Sequence, residues 1–325
     1  MEENKNNQIA DTSPAADPAA VKNDYLFPAS IIISAIIIAG AWIYTTGRNA
    51  LIASGSSETF SDASEKTLSP SGIVLPIRWG DLGIQLTKAG VIDKAQFLSL
   101  YASRGGLSKN ERRMLESANN ESITLTQENA GILLNLFWAL GLGNKNQILE
   151  KGEMSDPKYN GVGRFASTGG WTIAQGSAMD HFSRHPFIVL TLEQQALVEK
   201  VSKNIYRPCC DNSTHFPDCN HGMAMLGLLE LMASQNIGEG DMYKIALQMN
   251  TYWFPENYVN ISQYLATQGI EWSKADPKEI LGMKYSSGSG YRAILSRVPV
   301  PAQNSGGTGC AVAAPTPKSS GGCGI

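Results

Sequence analysis

Nineteen consecutive residues without a charge, Leu26 to Tyr44, divide this chain before any other feature is considered. The run is built around Ile31-Ile32-Ile33 and Ile36-Ile37-Ile38. As an α-helix rising about 1.5 Å per residue it spans roughly 28 Å, close to the hydrocarbon thickness of a bilayer. Tyr25, Trp42 and Tyr44 stand at its two ends, where amphipathic rings favour the headgroup region. A cleaved signal peptide fits less well, because the preceding 24 residues are acidic on balance and no clean small-residue cleavage site follows the run. A buried core helix would be unusual so near the terminus, and this run lacks amphipathic periodicity. The expectation is an uncleaved single-pass anchor over residues 25–46, meeting the membrane through residues 26–44. Lys5 and Lys22 on one side are nearly balanced by Arg48 and Lys66 on the other, so charge scarcely orients the span. The expected arrangement is a short inner tail and an extracytoplasmic soluble domain at the cell membrane.

The flanks follow from composition. Residues 1–24 are polar, acidic and rich in Pro and Ala, too poor in apolar surface to offset the entropy of ordering, and read as a disordered tail. Residues 47–72 are rich in Ser, Thr, Gly and Ala and read as a flexible stalk. Residues 73–297 have globular composition, and their apolar spacing is helical. Ser108 with Glu111, Thr124 with Gln127, and Thr191 with Gln194 have the capping-box spacing that opens helices. No long alternating strand pattern and no internal repeat are evident, so the expected fold is all-α. One segment, His221 to Ala233, is apolar nearly all the way round, with Glu230 its only charge. A helix of that kind belongs at the centre of a domain. Its methionines are better read as core filler than as a ligand stripe. Two further helices are expected near Glu239–Tyr252 and Glu256–Thr267. Gly161–Gly176 reads as a Gly-rich surface loop packed down by Trp171. Tyr252-Trp253-Phe254-Pro255 reads as a hydrophobic plug at a helix end. Residues 298–325, with their prolines and glycines, read as a flexible tail that carries Cys310 and Cys323.

The chemistry concentrates in one window. The chain has five cysteines and four histidines, and His181, His185, Cys209, Cys210, His215, Cys219 and His221 all lie between positions 181 and 221. The densest stretch, Arg207 to His221, is punctuated by Pro, Asp, Asn and Ser, so it reads as a loop delivering Cys219 and His221 to the start of the central helix. A helix N-terminus presents free amides and the positive end of the dipole, which favour thiolate, the form that binds metal or attacks a disulfide. Cys209, Cys210, Cys219 and His221 would suffice for zinc, copper or another soft ion. His181 and His185, spaced i,i+4, would present two imidazoles on one helical face. They would join that site, with His215 a further candidate, or form a second one with Asp180. Against zinc stands the spacing, because adjacent cysteines on one ion form a strained chelate ring.

Two other readings stay open. Cys209 and Cys210 would serve as the redox pair of a thiol–disulfide oxidoreductase, or the loop would be a disulfide-stapled module of the cell envelope. Cys209, Cys210 and Cys219 are the candidate catalytic residues, and a Cys–His hydrolase with Cys209 or Cys219 as nucleophile is a further variant. The tail bears on each reading. Cys310 and Cys323 lie far enough past Arg297 to reach roughly 20 and 28 Å as coil. That range suits a shuttle to the loop, a disulfide between the two, or an intermolecular disulfide. A metal or thiol donor protein is the corresponding partner. A net charge of −3 without a basic stripe argues against nucleic acid. Gly161 to Ala166 fits G-x-G-x-x-A but lacks a preceding strand, and no Walker A, H-E-x-x-H, EF-hand or G-x-S-x-G motif is present.

Overall fold

Alternation opens the fold. In a computed structural model, which describes residues 64–298 apart from Lys66, strand β1 (Ile73–Gly80) turns Leu75, Ile77 and Trp79 inward and Val74, Pro76 and Arg78 outward. All described residues belong to the unit that runs from Gly55 onward. Three short helices follow, α1 (Leu82–Lys88), α2 (Lys94–Ala102) and α3 (Lys109–Glu116). Strand β2 (Asn119–Leu125) then returns antiparallel to β1, pairing Ile73 with Leu125 and Gly80 with Asn119. Pro76 has no amide proton, and the ladder is irregular between Val74 and Arg78. The described fold is mostly helical, as expected, but this two-stranded sheet was not. Its inward residues alternate over a stretch short enough to be mistaken for one side of a helix.

The remaining α-helices are α4 (Ala130–Gly143), α5 (Gln147–Lys151), α6 (Leu192–Ser202), α7 (Asn220–Ser234), α8 (Glu239–Trp253), α9 (Pro255–Thr267), α10 (Pro277–Leu281), α11 (Met283–Ser286) and α12 (Gly288–Leu295), with short 3-10 turns between some of them. Helices α4 and α7 are buried along almost their whole length and cross at the centre of the core. Glycine permits the crossing. A Cβ on Gly141 would lie 2.1 Å from the Met223 carbonyl oxygen, and one on Gly227 would lie 2.4 Å from that of Phe137. Helix α7 is the central helix expected from its all-round apolarity. Glu230 is fully buried there and accepts from Asn146 Nδ2 at 2.5 Å and Asn144 Nδ2 at 3.1 Å. Burial pushes its carboxyl well above the ordinary range, opposed by those two amides.

Two of the three expected capping boxes open helices. Ser108 with Glu111 and Thr191 with Gln194 form complete capping boxes at α3 and α6. Thr124 does not, because it lies in β2. There Asn129 accepts from the Thr126 amide and donates to the Thr124 carbonyl, so the chain turns before α4 begins. The loop over 161–176 is anchored by Trp171, whose ring lies against Trp138 and whose Nε1 donates to the Val91 carbonyl. Tyr252 and Phe254 are buried at the junction of α8 and α9, as expected of a plug.

The folded domain begins earlier than composition implied. Thr67 and Leu68, assigned to the stalk, are buried, and Tyr252 Oη donates to the Ser69 carbonyl. The anchor over 25–46, the tail over 1–24, Cys310 and Cys323 lie outside the described residues. Among the described residues no helix is long and apolar enough to cross a membrane.

Candidate metal centre

The segment between α6 and α7 is compact although it has no regular secondary structure. The Thr214 amide donates to the Ile205 carbonyl at 2.8 Å, and the His215 amide to that of Ser202 at 3.2 Å. Pro208 follows Arg207, and the Cys210 amide closes a turn on the Arg207 carbonyl at 3.2 Å. The start of α12 braces the turn. The Gly288 amide donates to the Cys210 carbonyl at 2.8 Å, and the Ser289 amide to Asp211 Oδ1 at 2.6 Å. Cys219 is the N-cap of α7, its sulfur accepting from the Gly222 amide at 3.4 Å.

These constraints bring three thiols to one point. The sulfurs of Cys209 and Cys219 are 3.6 Å apart, those of Cys210 and Cys219 3.8 Å, and those of Cys209 and Cys210 3.9 Å. All three cysteines are free and half-buried. With metal–sulfur bonds of about 2.3 Å, sulfurs on one ion lie about 3.8 Å apart in a tetrahedron and about 4.0 Å apart in a plane. The observed triangle has these dimensions, and the three cysteines can hold a metal ion.

Beneath the sulfurs lies Arg207, whose side chain is fully buried. Nη2 donates to Cys210 Sγ at 3.1 Å and Nη1 to Thr214 Oγ1 at 3.3 Å. Asp218 Oδ1 sits 3.5 Å from Nη2, and Asp218 Oδ2 accepts from Asn212 at 2.8 Å. The guanidinium leaves no room on α7 for a side chain at position 222, since a Cβ on Gly222 would lie 2.8 Å from Nη2. Thiol hydrogen bonds from Cys209 and Cys219, aided by the Arg207 charge, pull Cys210 well below the ordinary cysteine range. Cys209 is pushed well above it by its bonds to Cys210 and Cys219 and by burial. Cys219 is favoured by Cys209 but driven up to about 12 by Cys210 and burial. One thiolate shared among three sulfurs is the form these contacts support. Burial raises Asp218, and the negative sulfur of Cys210 adds to the effect.

The histidines stand elsewhere. Among the described residues, the one group of three or more metal-ligating side chains close enough to share an ion is Cys209, Cys210 and Cys219, without His221. The His221 ring is buried against Phe254, centroids 4.3 Å apart, and Trp253, and burial lowers its pKa to about 3. His215 is half-buried, with Lys203, Glu199 and Glu153 as its charged neighbours. His181 and His185 do meet, Nδ1 to Nε2 at 3.1 Å, but across a turn and not along a helix face. Asp180 accepts from the Ser177 amide in a capping box of its own.

Sequence reasoning passed over Arg207, Thr214 and Asp218 as parts of the centre. The signal for Arg207 was its position two residues before a cysteine pair, since a cation beside a thiol is what stabilises thiolate. Nothing local signalled Ser289, 78 residues from its partner Asp211. Comparison with known protein families, with curated proteins and with solved structures finds no match to this chain.

Proposed function

We propose that this protein binds a thiophilic transition-metal ion through Cys209, Cys210 and Cys219. The sulfur triangle carries this reading: its sides of 3.6 to 3.9 Å lie within a few tenths of an ångström of the separations that one ion imposes on three thiolates. The cation beneath it and the helix N-terminus at Cys219 both favour the deprotonated form that a metal requires. In the full reading the domain is held at the extracytoplasmic face of the cell membrane by residues 26–44. Cys310 and Cys323 on the tail load or unload the ion, and a metal or thiol donor protein is the partner.

The competing reading is thiol–disulfide exchange. It draws on the same Cys210 thiolate with Cys209 or Cys219 as its neighbour. Native, non-reducing intact-mass spectrometry of the full chain, purified without chelator or added metal, separates the two. A stoichiometric ion with the loop thiols reduced is the expected result. A metal-free chain lighter by the hydrogens of a disulfide within the loop would overturn it in favour of redox chemistry. A bound ion that persists after Cys209→Ser with Cys210→Ser would place the metal elsewhere.

A further inference from the structure

Three thiolates around an ion have a charge that depends on the ion, and the buried surroundings of this triangle select among the outcomes. A divalent ion displaces the thiol protons and leaves a complex with one net negative charge. A trivalent metalloid such as arsenite loses its hydroxyls as water, the thiols supplying the protons, and leaves a neutral complex. A monovalent ion leaves two negative charges.

Arg207 is a permanent cation in a fully buried position. Its nearest polar contact is sulfur: Nη2 lies 3.1 Å from Cys210 Sγ, against 3.5 Å from Asp218 Oδ1. A guanidinium donates strongly to anionic sulfur and weakly to the sulfur of a neutral metalloid complex. Its Nε has no hydrogen-bond partner among the described residues, so the sulfur contact is a principal compensation for burying this charge. Asp218 opposes it from the same side, repelling any negative charge that stays on the sulfurs.

Resting on the proposed metal-binding function, we infer that the Arg207 guanidinium is the fixed counter-ion of an anionic tris-thiolate complex, so that the site takes a divalent thiophilic cation in preference to a trivalent metalloid. Arg207 is a positioning residue, acting on the ion through Cys210. Gly222 is part of the same arrangement, because the space that a side chain there would need is taken by the guanidinium.

The test is the ratio of cadmium(II) to arsenite affinity, measured by competition on the full chain carrying Cys310→Ser and Cys323→Ser so that only the loop thiols report. Arg207→Gln should lower the cadmium-to-arsenite ratio by roughly 10- to 100-fold, the scale of one charge-assisted hydrogen bond lost from a buried site. Arg207→Lys, which keeps the charge, should restore part of it. Asp218→Asn should move the ratio the other way, and it guards against misfolding of the Arg207 variants because Asp218 is only partly buried. A parent chain that prefers arsenite overturns the inference. So does a ratio left unchanged by both Arg207→Gln and Asp218→Asn, while ion binding at the thiols itself stands. A parent chain that binds neither ion overturns the inference and the metal-binding reading together.

Discussion

Two clusters of soft or borderline donors stand among the described residues, and only in one do three donor atoms meet at a point. In the cysteine triangle the sulfurs face one another, and their other hydrogen-bonding neighbours are one guanidinium, one helix amide and the Asn212 carbonyl, 3.9 Å from Cys210 Sγ. In the histidine pair both ring nitrogens of His181 and Nε2 of His185 are already engaged. His181 Nε2 lies 3.0 Å from the Gln175 carbonyl, which only accepts, so that nitrogen carries the proton. His181 Nδ1 then accepts from His185 Nε2, and neither of the two meeting nitrogens keeps a free lone pair. The rings are stacked, and His185 lies in turn against Phe187. The backbone of His185 is hydrogen-bonded to Gly143 and Lys145 at the end of α4. Proximity of ligand-type residues therefore does not make a site. What counts is whether their lone pairs are already engaged.

The largest effect that can break this contrast comes from the thiols. Cys219→Ser, or Cys209→Ser with Cys210→Ser, should abolish stoichiometric ion binding. His181→Ala with His185→Ala should leave it intact, as read by metal content after gel filtration. Loss of metal in the histidine variant alone would reverse the assignment of the two clusters.

Next in size is a stability effect beneath the histidine loop. Asn144 Oδ1 accepts from the Ile188 amide, and Asn146 Oδ1 from the Ile148 amide and Gln195, so both amide groups are fixed with their NH2 toward Glu230. Glu230→Gln puts a donor against a donor there. It should cost about 1–3 kcal/mol in chemical denaturation while leaving ion affinity in the folded protein unchanged. Gly222→Ala is the converse. Displacing the guanidinium should weaken cadmium binding by about tenfold, with little change at His181 and His185 in NMR spectra of the ring protons.

The smallest effect is a pH dependence set by His185. Burial, then the electrostatic influence of His181 and of Arg184, holds His185 below the ordinary histidine range. A folded-state pKa below that of the unfolded chain means that protons bind more readily to the unfolded state. Stability from His185 is therefore fully present above about pH 6.5, the unfolded value, and is lost as pH falls through the folded one. The melting temperature should fall on acidification from pH 7 to 5, and His185→Gln should flatten that slope. An equal slope in the variant would show that His185 is not the source of the acid sensitivity.

Much of the frame was legible from local pattern. The all-round apolarity of His221–Ala233 identified the central helix, because no surface helix could hide that many methionines and leucines. Capping boxes at Ser108 and Thr191 worked because each pairs a side chain with an amide three residues away, with no distant partner involved. Thr124 failed because its backbone was already committed to β2 and to Asn129, a competition that capping-box spacing does not register. The strand at Ile73–Gly80 was missed because its pairing partner lies some forty residues on, beyond the window in which periodicity is read.

The candidate centre divides along the same line. By itself the sequence determined that three thiols lie within one short loop ending at a helix start, since that depends on residue order alone. Only the tertiary structure decided that the three sulfurs form a triangle, that His221 turns away against Phe254, and that Arg207 is buried beneath Cys210. Those outcomes depend on contacts from α8, α9 and α12, far along the chain. The direction in which a loop side chain points is set by what packs against it, and not by its neighbours in sequence.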